Sequence, residues 1–425
     1  MPPTEPGSLP RSFPPLLTVP TTRALALKRL LHLPLASLLS ALPLAAQGNV
    51  WVVDSQGGPG FDFLSLQVAI DTAADEDLLL VRSGAYGQVV VDGKGVEILG
   101  DVDADVLLET LTVRNLFPEQ EVVVRHAWLQ GGVVVEGCLG SVWLQDLRDQ
   151  PFLVPTLYRI QNAAFVTLKD VVSEEDGILF SVAAPAAEVH NSSVFAFASR
   201  LLGRSQALSS VAPGAPGIQH YDGEVLLYGC TVGGGDGEDG KINDPECAGA
   251  DGGSAVALGA TAELIHIGSD LLEGSGGTGG SFGGMPCDDG ADGVSIALEP
   301  GAVNEPLAGA AQKFDLSSPV REGAASHIEV QGASDMSVLL LASPRPAHQL
   351  LEDLGGALLI DSSDFYAFSL GSTDASGSLE FDLAISQLPP GQAFARFYTQ
   401  PLYFHAPVGF FLGSGSTLEI LDAAY

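Results

Sequence analysis

The chain has 425 residues, and its 52 acidic residues against 18 basic ones give a formal charge of −34. With 46% hydrophobic residues it is too apolar for a disordered acidic chain, and it lacks the basic footprint of a nucleic-acid binder. The length predicts two or three domains.

Arg23, Lys28 and Arg29 precede an apolar stretch over 30–44, and Ala45, Ala46 and Gln47 follow it. A basic region, a short apolar region and small residues are the parts of a secretory signal, expected over residues 1–47. No later stretch reaches the ~18 apolar residues of a membrane helix, so the mature chain is expected to lack a transmembrane segment and to be secreted or held at the cell surface.

A helix is predicted from Phe63 to Ala74, where the apolar residues Leu66, Val68, Ala69, Ile70 and Ala73 support a few turns and Asp62 or Ser65 can cap the start. Short apolar, β-branched runs then follow at 78–81, 89–91, 96–99, 106–108, 122–124, 133–135 and 142–144, broken by turns such as Ser83-Gly84, Asp92-Gly93 and Gly131-Gly132. Strands this short and turns this frequent predict a solenoid. Within this stretch Asp101, Asp103 and Asp105 place three carboxylates at alternate positions. In an extended segment they point one way, and hard oxygens suit Ca²⁺; the alternative is a solvated acidic turn.

An internal repeat lies further on. Glu224-Val-Leu-Leu-Tyr-Gly229 matches Glu263-Leu-Ile-His-Ile-Gly268, and the stretch from Cys247 to Leu258 matches that from Cys287 to Leu298, with a glycine-rich loop inside each unit. One coil with a lateral loop is thus duplicated. Neighbouring rungs ~4.8 Å apart suit the Cα separation of a disulfide, so Cys247–Cys287 is the preferred pairing and Cys230–Cys247 the alternative. Cys138 and Cys230 are then small apolar fillers. In the first loop, Asp239, Asn243 and Glu246 resemble the second half of an EF-hand loop, a second candidate Ca²⁺ site. Gly235 and Gly237 stand where its first ligands belong.

From about Ser326 the character changes. Apolar stretches at 338–341, 358–360, 365–370, 379–385, 394–398 and 418–421 alternate with turns and predict a small antiparallel β-sandwich over 326–425, serving as an attachment module or as a cap for the far end of the solenoid.

The stretch Phe63-Leu-Ser-Leu-Gln-Val-Ala-Ile70 with the turn Val81-Arg-Ser-Gly-Ala-Tyr86 resembles the opening of pectin-lyase-like right-handed parallel β-helix proteins. The resemblance implies an all-β fold over 48–315, a right-handed parallel β-helix whose N-terminal end is capped by the helix. Some members cleave polysaccharides with carboxylates, or with Ca²⁺ and a basic residue, on a lateral face. Here Lys169 and Asp170, near Glu174-Glu175-Asp176, and the pair Asp288-Asp289 are the candidates; their alternative is a solvated outer face. His126 is expected to be an ordinary exposed histidine. The favoured function is non-catalytic: an extracellular structural or glycan-binding module that meets polysaccharide or cell-surface components. The alternative is a polysaccharide lyase or glycoside hydrolase.

Overall fold

The computed structural model describes residues 48–149, 157–173, 183–205, 211–406 and 409–425. The expected signal at 1–47 and the run Glu174-Glu175-Asp176 lie outside the described residues. The first part is a parallel β-helix. One inward position illustrates the winding: Leu79, Ile98, Val124, Leu144, Leu168, Ala196, Leu227 and His266 stack in register through successive coils. Parallel pairing repeats each position every ~4.8 Å, so from Leu79 to Leu227 an apolar residue lies over another and the interior there stays dry; only the last of these coils breaks the stack, with His266.

Each coil has three faces. Face I carries Leu78–Val81, Glu97–Gly100 and residues 122–125, 142–145, 166–169, 194–197, 225–228 and 264–267. Face II carries Val106–Leu108, residues 127–129 and 147–149, Val172–Ser173, Arg200–Leu202, Thr231–Gly233 and Asp270–Leu272. Face III runs from Gln88–Asp92 to Ile296–Leu298. The helix is shorter than the sequence predicted, Leu66–Thr72, because Ser65 is its cap and accepts from the Val68 N–H. Leu66, Ala69 and Ile70 are buried over the first coil, where they cover apolar core and unpaired edges.

The glycine-rich loops are ordered arms of the solenoid. They leave the solenoid as extended chains that hydrogen-bond to one another. The Gly253 N–H donates to Gly235 O, Gly274 to Gly253 O, and Gly293 to Gly274 O. Three residues further along, Ala250 donates to Glu238 O, Gly277 to Ala250 O, and Gly290 to Gly277 O. A three-residue repeat is that of polyproline-II chains, so each chain bonds to different neighbours in turn. Space rather than a positive φ demands the glycines. A Cβ at Gly240 would lie 1.9 Å from Cys247 O, and one at Gly277 would lie 2.0 Å from Glu238 O. The Cys247–Cys287 disulfide, with Cα atoms 5.7 Å apart, ties the two arms. Cys138 and Cys230 are buried and free.

The remaining chain builds two mainly antiparallel sheets on a shared core, with a separate two-stranded hairpin of Pro346–Leu351 and Gly356–Ile360. Lys313–Leu316, Ala325–Gln331 and Ser378–Ala384 form the smaller sheet, so its first strand precedes the expected start at 326. Ser337–Ser343, Tyr366–Ser372, Phe394–His405 and Ser416–Leu421 dominate the larger one. Phe314, Ile328, Val330, Val338, Leu340, Phe397 and Leu418 fill the space between them. This module is not a cap for the far end of the solenoid. It lies along face I: Leu341, Leu359, Ile360 and Tyr398 pack on the outward side chains Val123, Trp143, Phe195, Phe197, Leu226, Tyr228, Ile265 and Ile267. Phe394 and Leu421 pack on Leu78, Leu80 and Leu99. Face I is therefore buried on both sides, and each large side chain so covered contributes on the order of 2 kcal/mol.

Candidate functional site

Between faces I and II the six coils from Val122 onward each turn through a single residue in the left-handed region. These are His126 (φ 56°), Asp146 (54°), Asp170 (51°), Ala198 (47°), Gly229 (62°) and Gly268 (51°). Asp, His and Gly tolerate that conformation better than bulky residues do. The turn residues form a ladder, and residues 310–319, crossing from the solenoid to the sandwich, run beside it. A groove lies between the two. Its first section, about 480 Å³, is lined by Asp101, Asp103, His126, Trp128 and Ser317. The middle section, about 640 Å³, is lined by His126, Trp128, Asp146, Arg148, Asp170 and Asp315. The third, about 320 Å³, is lined by Ala198, Gly229, Gly268, Ala311 and Lys313.

The middle section holds the chemistry. His126 Nδ1 lies 2.6 Å from Asp146 Oδ2, and its Nε2 donates to Ser318 O at 2.7 Å. Burial raises the Asp146 pKa, but the hydrogen bond and charge of His126, with Arg148 and Arg125, outweigh it and hold the group at about 2. One rung further, burial raises the Asp170 pKa despite the neighbouring Lys169 ammonium. Arg148 lies over the Trp128 ring, 5.9 Å from its centroid, and 3.4 Å from Asp146. Trp128, Arg148 and Val172 are outward positions of adjacent face II strands, which places an aromatic face and a guanidinium on the floor of the groove.

Lys169 is not part of a solvated outer face. Its side chain is 1% exposed and pairs with Asp170 and, at 3.0 Å, with Asp315. Lys313 reaches Asp315 at 2.6 Å from the other side. Asp315 is raised by burial but brought lower overall by Lys169 and Lys313. The lysine thus fastens the crossing segment to the solenoid. His126, expected to be an ordinary exposed histidine, has a carboxylate partner.

The other candidates are elsewhere. Asp289 accepts from the Gly279 N–H at 2.6 Å, and Asp239 accepts from both the N–H and the hydroxyl of Thr278. Asp236, Asp251 and Asp292 do likewise for Ser275, Ala291 and Gly276. The acids of the glycine arms therefore satisfy backbone donors left by the packed chains. Asp288 lies beside them, and its C=O accepts from Gly249 N. Asn243 sits in a turn at φ 61° and donates its N–H to Ser281 O, while the Glu246 N–H donates to Asp244. Asp101 pairs with Arg321 at 2.9 Å, Asp103 takes a left-handed turn, and the Asp105 N–H donates to Ser83. Among the described residues no group of three or more His, Cys, Asp or Glu is gathered as a metal ion requires. No described helix is long and apolar enough to cross a membrane.

Sequence reasoning missed Trp128, Asp146, Arg148 and Asp315. A signal was present for the turn residues: His126, Asp146 and Asp170 each end an apolar run, one coil length apart.

No family model matches the chain, and no curated protein matches it. Among solved structures the bacteriophage CBA120 tailspike protein 4 enzymatically active domain is similar at 10% identity, with a TM-score of 0.24. The match covers 81% of this chain, which spans 64% of that one.

Proposed function

We propose that this is an exported glycan-binding β-helix that holds an extended polysaccharide in the groove along the turn ladder without cleaving it. The observation that carries the reading is the continuity of the groove over several rungs, with Trp128 and Arg148 on its floor. A flat aromatic ring stacks on an apolar sugar face, and fixed polar groups orient the hydroxyls. A solenoid supplies such a site as a straight, rigid track. Every carboxylate of the middle section is already paired: Asp146 with His126 and Arg148, Asp149 with Arg204, Asp170 with Lys169, Asp315 with both lysines. This supports binding over acid–base chemistry. Export is supported by the signal-like residues 1–47 and by the Cys247–Cys287 disulfide, which persists in oxidising compartments. Membership of the pectin-lyase-like superfamily belongs to the same proposal. It is supported by the Ser65-capped helix and by Tyr86, whose hydroxyl donates to Arg82 O in the following turn.

Cleavage is the second reading, favoured by one observation. Adjacent rungs carry Asp146, lowered, and Asp170, raised, and two carboxyls pushed apart are what glycoside hydrolysis uses.

The test is a panel of soluble polysaccharides, measured for binding by affinity electrophoresis and for release of reducing ends or unsaturated products, with and without Ca²⁺. Binding weakened at least tenfold by Trp128→Ala, with no product released, is the expected result. Product release that Asp170→Asn abolishes would establish the second reading. Binding indifferent to Trp128→Ala and Arg148→Ala would remove the groove from both.

A further inference from the structure

We infer that the C-terminal end of the solenoid is an interface at which two copies of this chain pair end to end about a two-fold axis. The two ends of the solenoid are finished differently. The helix Leu66–Thr72 covers the first coil, whereas no described segment covers the last, because the C-terminal module lies along face I. Asp270–Leu272, Ile296–Leu298 and Val303–Pro306 are each paired on one edge only. Their free edges present unpaired N–H and C=O groups from all three faces.

The interior is open at the same place. Leu258 is 2% exposed, while Leu298, at the same register position one coil later, is 55% exposed. Leu271 and Ile296, inward over Val232 and Val256, are only partly buried, and on the rim Leu272, Val294 and Val303 are about half exposed. Two inward polar atoms of this end, His266 Nε2 and Asn304 Oδ1, are buried without a hydrogen-bond partner. Such an end is continuous with the main hydrophobic core and asks for both apolar cover and hydrogen bonds.

A second copy supplies both. Under a two-fold axis each free strand meets a strand running the opposite way, which suits antiparallel pairing, and the same apolar residues face each other. The terminal coil with its glycine arm, residues 270–306, follows roughly 120 Å of chain at ~3.3 Å per residue. A strip about 5 Å deep, half the sheet-to-sheet distance, buries roughly 600 Å² per copy, at the lower end of stable interfaces. The coil carries Asp270, Glu273, Asp288, Asp289, Asp292, Glu299 and Glu305 and no Lys or Arg. Two such ends repel until salt screens them, so association depends on ionic strength.

Light scattering coupled to size exclusion, on the full chain at tens of micromolar, tests this at 20 mM and 1 M NaCl. Monomer at low salt and dimer at high salt is expected, with no larger species, because a two-fold contact closes on itself. Leu298→Lys and Val303→Lys should each lower the dimer fraction at least tenfold at 1 M NaCl, with thermal melting checking that the variants fold. Hydrogen exchange on the unmodified chain supplies a readout independent of the variants: protection at 296–298 and 303–305 should rise with salt. Monomer under both conditions, open-ended oligomers, or a dimer indifferent to both lysines with unchanged exchange at these strands overturns the inference. The first of these outcomes would leave the end to a different partner.

Discussion

Arg125 of the solenoid and Glu419 of the last strand, 294 residues apart in sequence, meet as an ion pair in which both side chains are at most 1% exposed. The same guanidinium donates to Thr417 O at 2.7 Å and to Thr417 Oγ1 at 2.8 Å, and the Ser318 hydroxyl donates to Glu419. Arg396 lies in the same layer, 3.1 Å from both Glu97 and Glu121, and Tyr398 donates to Glu121. Three carboxylates and two guanidiniums thus join the sandwich to face I.

Breaking one half of the Arg125–Glu419 pair leaves a buried charge alone. Arg125→Met is expected to destabilise the protein by about 3–5 kcal/mol in urea unfolding. The double variant Arg125→Met/Glu419→Met should cost far less, since burying two apolar groups avoids desolvation. Equal losses in the single and double variants would show that the pair is not coupled.

The odd carboxylate of this layer has a pH consequence. Burial, then repulsion from Glu419, raises the Glu97 pKa to about 8 in spite of Arg396. The folded state then binds more protons than the unfolded one, so this contribution is present below pH ~4.5 and is lost as pH rises towards 8. Asp146, held at about 2, acts oppositely: its contribution is present above pH ~4 and is lost as pH falls towards 2. The melting temperature should fall by several degrees between pH 5 and 8, and Glu97→Gln should flatten that fall. A variant with the same pH dependence as the native chain would refute the assignment to Glu97.

Packing of the glycine arms is tested at Gly277. The Cβ of Gly277→Ala would lie 2.0 Å from Glu238 O, so the chains must separate, at a cost of about 1–3 kcal/mol. Amide exchange of Ala250, Gly277 and Gly290, which share one hydrogen-bond row, should quicken together. Ser275→Ala, which keeps the backbone donor to Asp236, should leave that row protected.

Thiol chemistry separates the two cysteine pairs. Opening Cys247–Cys287 frees a 40-residue loop and should cost about 2–4 kcal/mol by loop closure, measured by unfolding with and without reductant. Cys138 and Cys230 should resist maleimide until the protein unfolds, because burial raises both thiols, Cys230 to about 12. Rapid labelling of native Cys230 would contradict its burial.

Much of the fold was legible in the residues. Runs such as Leu78-Leu-Leu-Val81 and Val122-Val-Val124, ended by Gly, Asp or His one coil apart, specify a rung, because strand length, turn and inward apolar position are all local. Those runs carried a further message that strand spacing alone does not convey. They lack the alternation of Gln88–Asp92, whose outward residues are exposed or half-buried, because face I is covered on its outer side as well. The candidate site was less legible. Asp170 was named, but as one half of a catalytic pair with a lysine that is in fact buried in a contact with Asp315.

The repeat from Glu224 and Glu263 and the preference for Cys247–Cys287 were determined by the sequence itself, since residues one coil apart meet through a short-period register, while the capping role of the helix around Ile70 came from a family resemblance. Only the tertiary structure decided where the sandwich lies, which residues border the groove and why the arms need glycine. Those outcomes depend on contacts such as Arg125 with Glu419 and Lys169 with Asp315, between residues whose separation obeys no repeat, so no periodic pattern in the chain announces them.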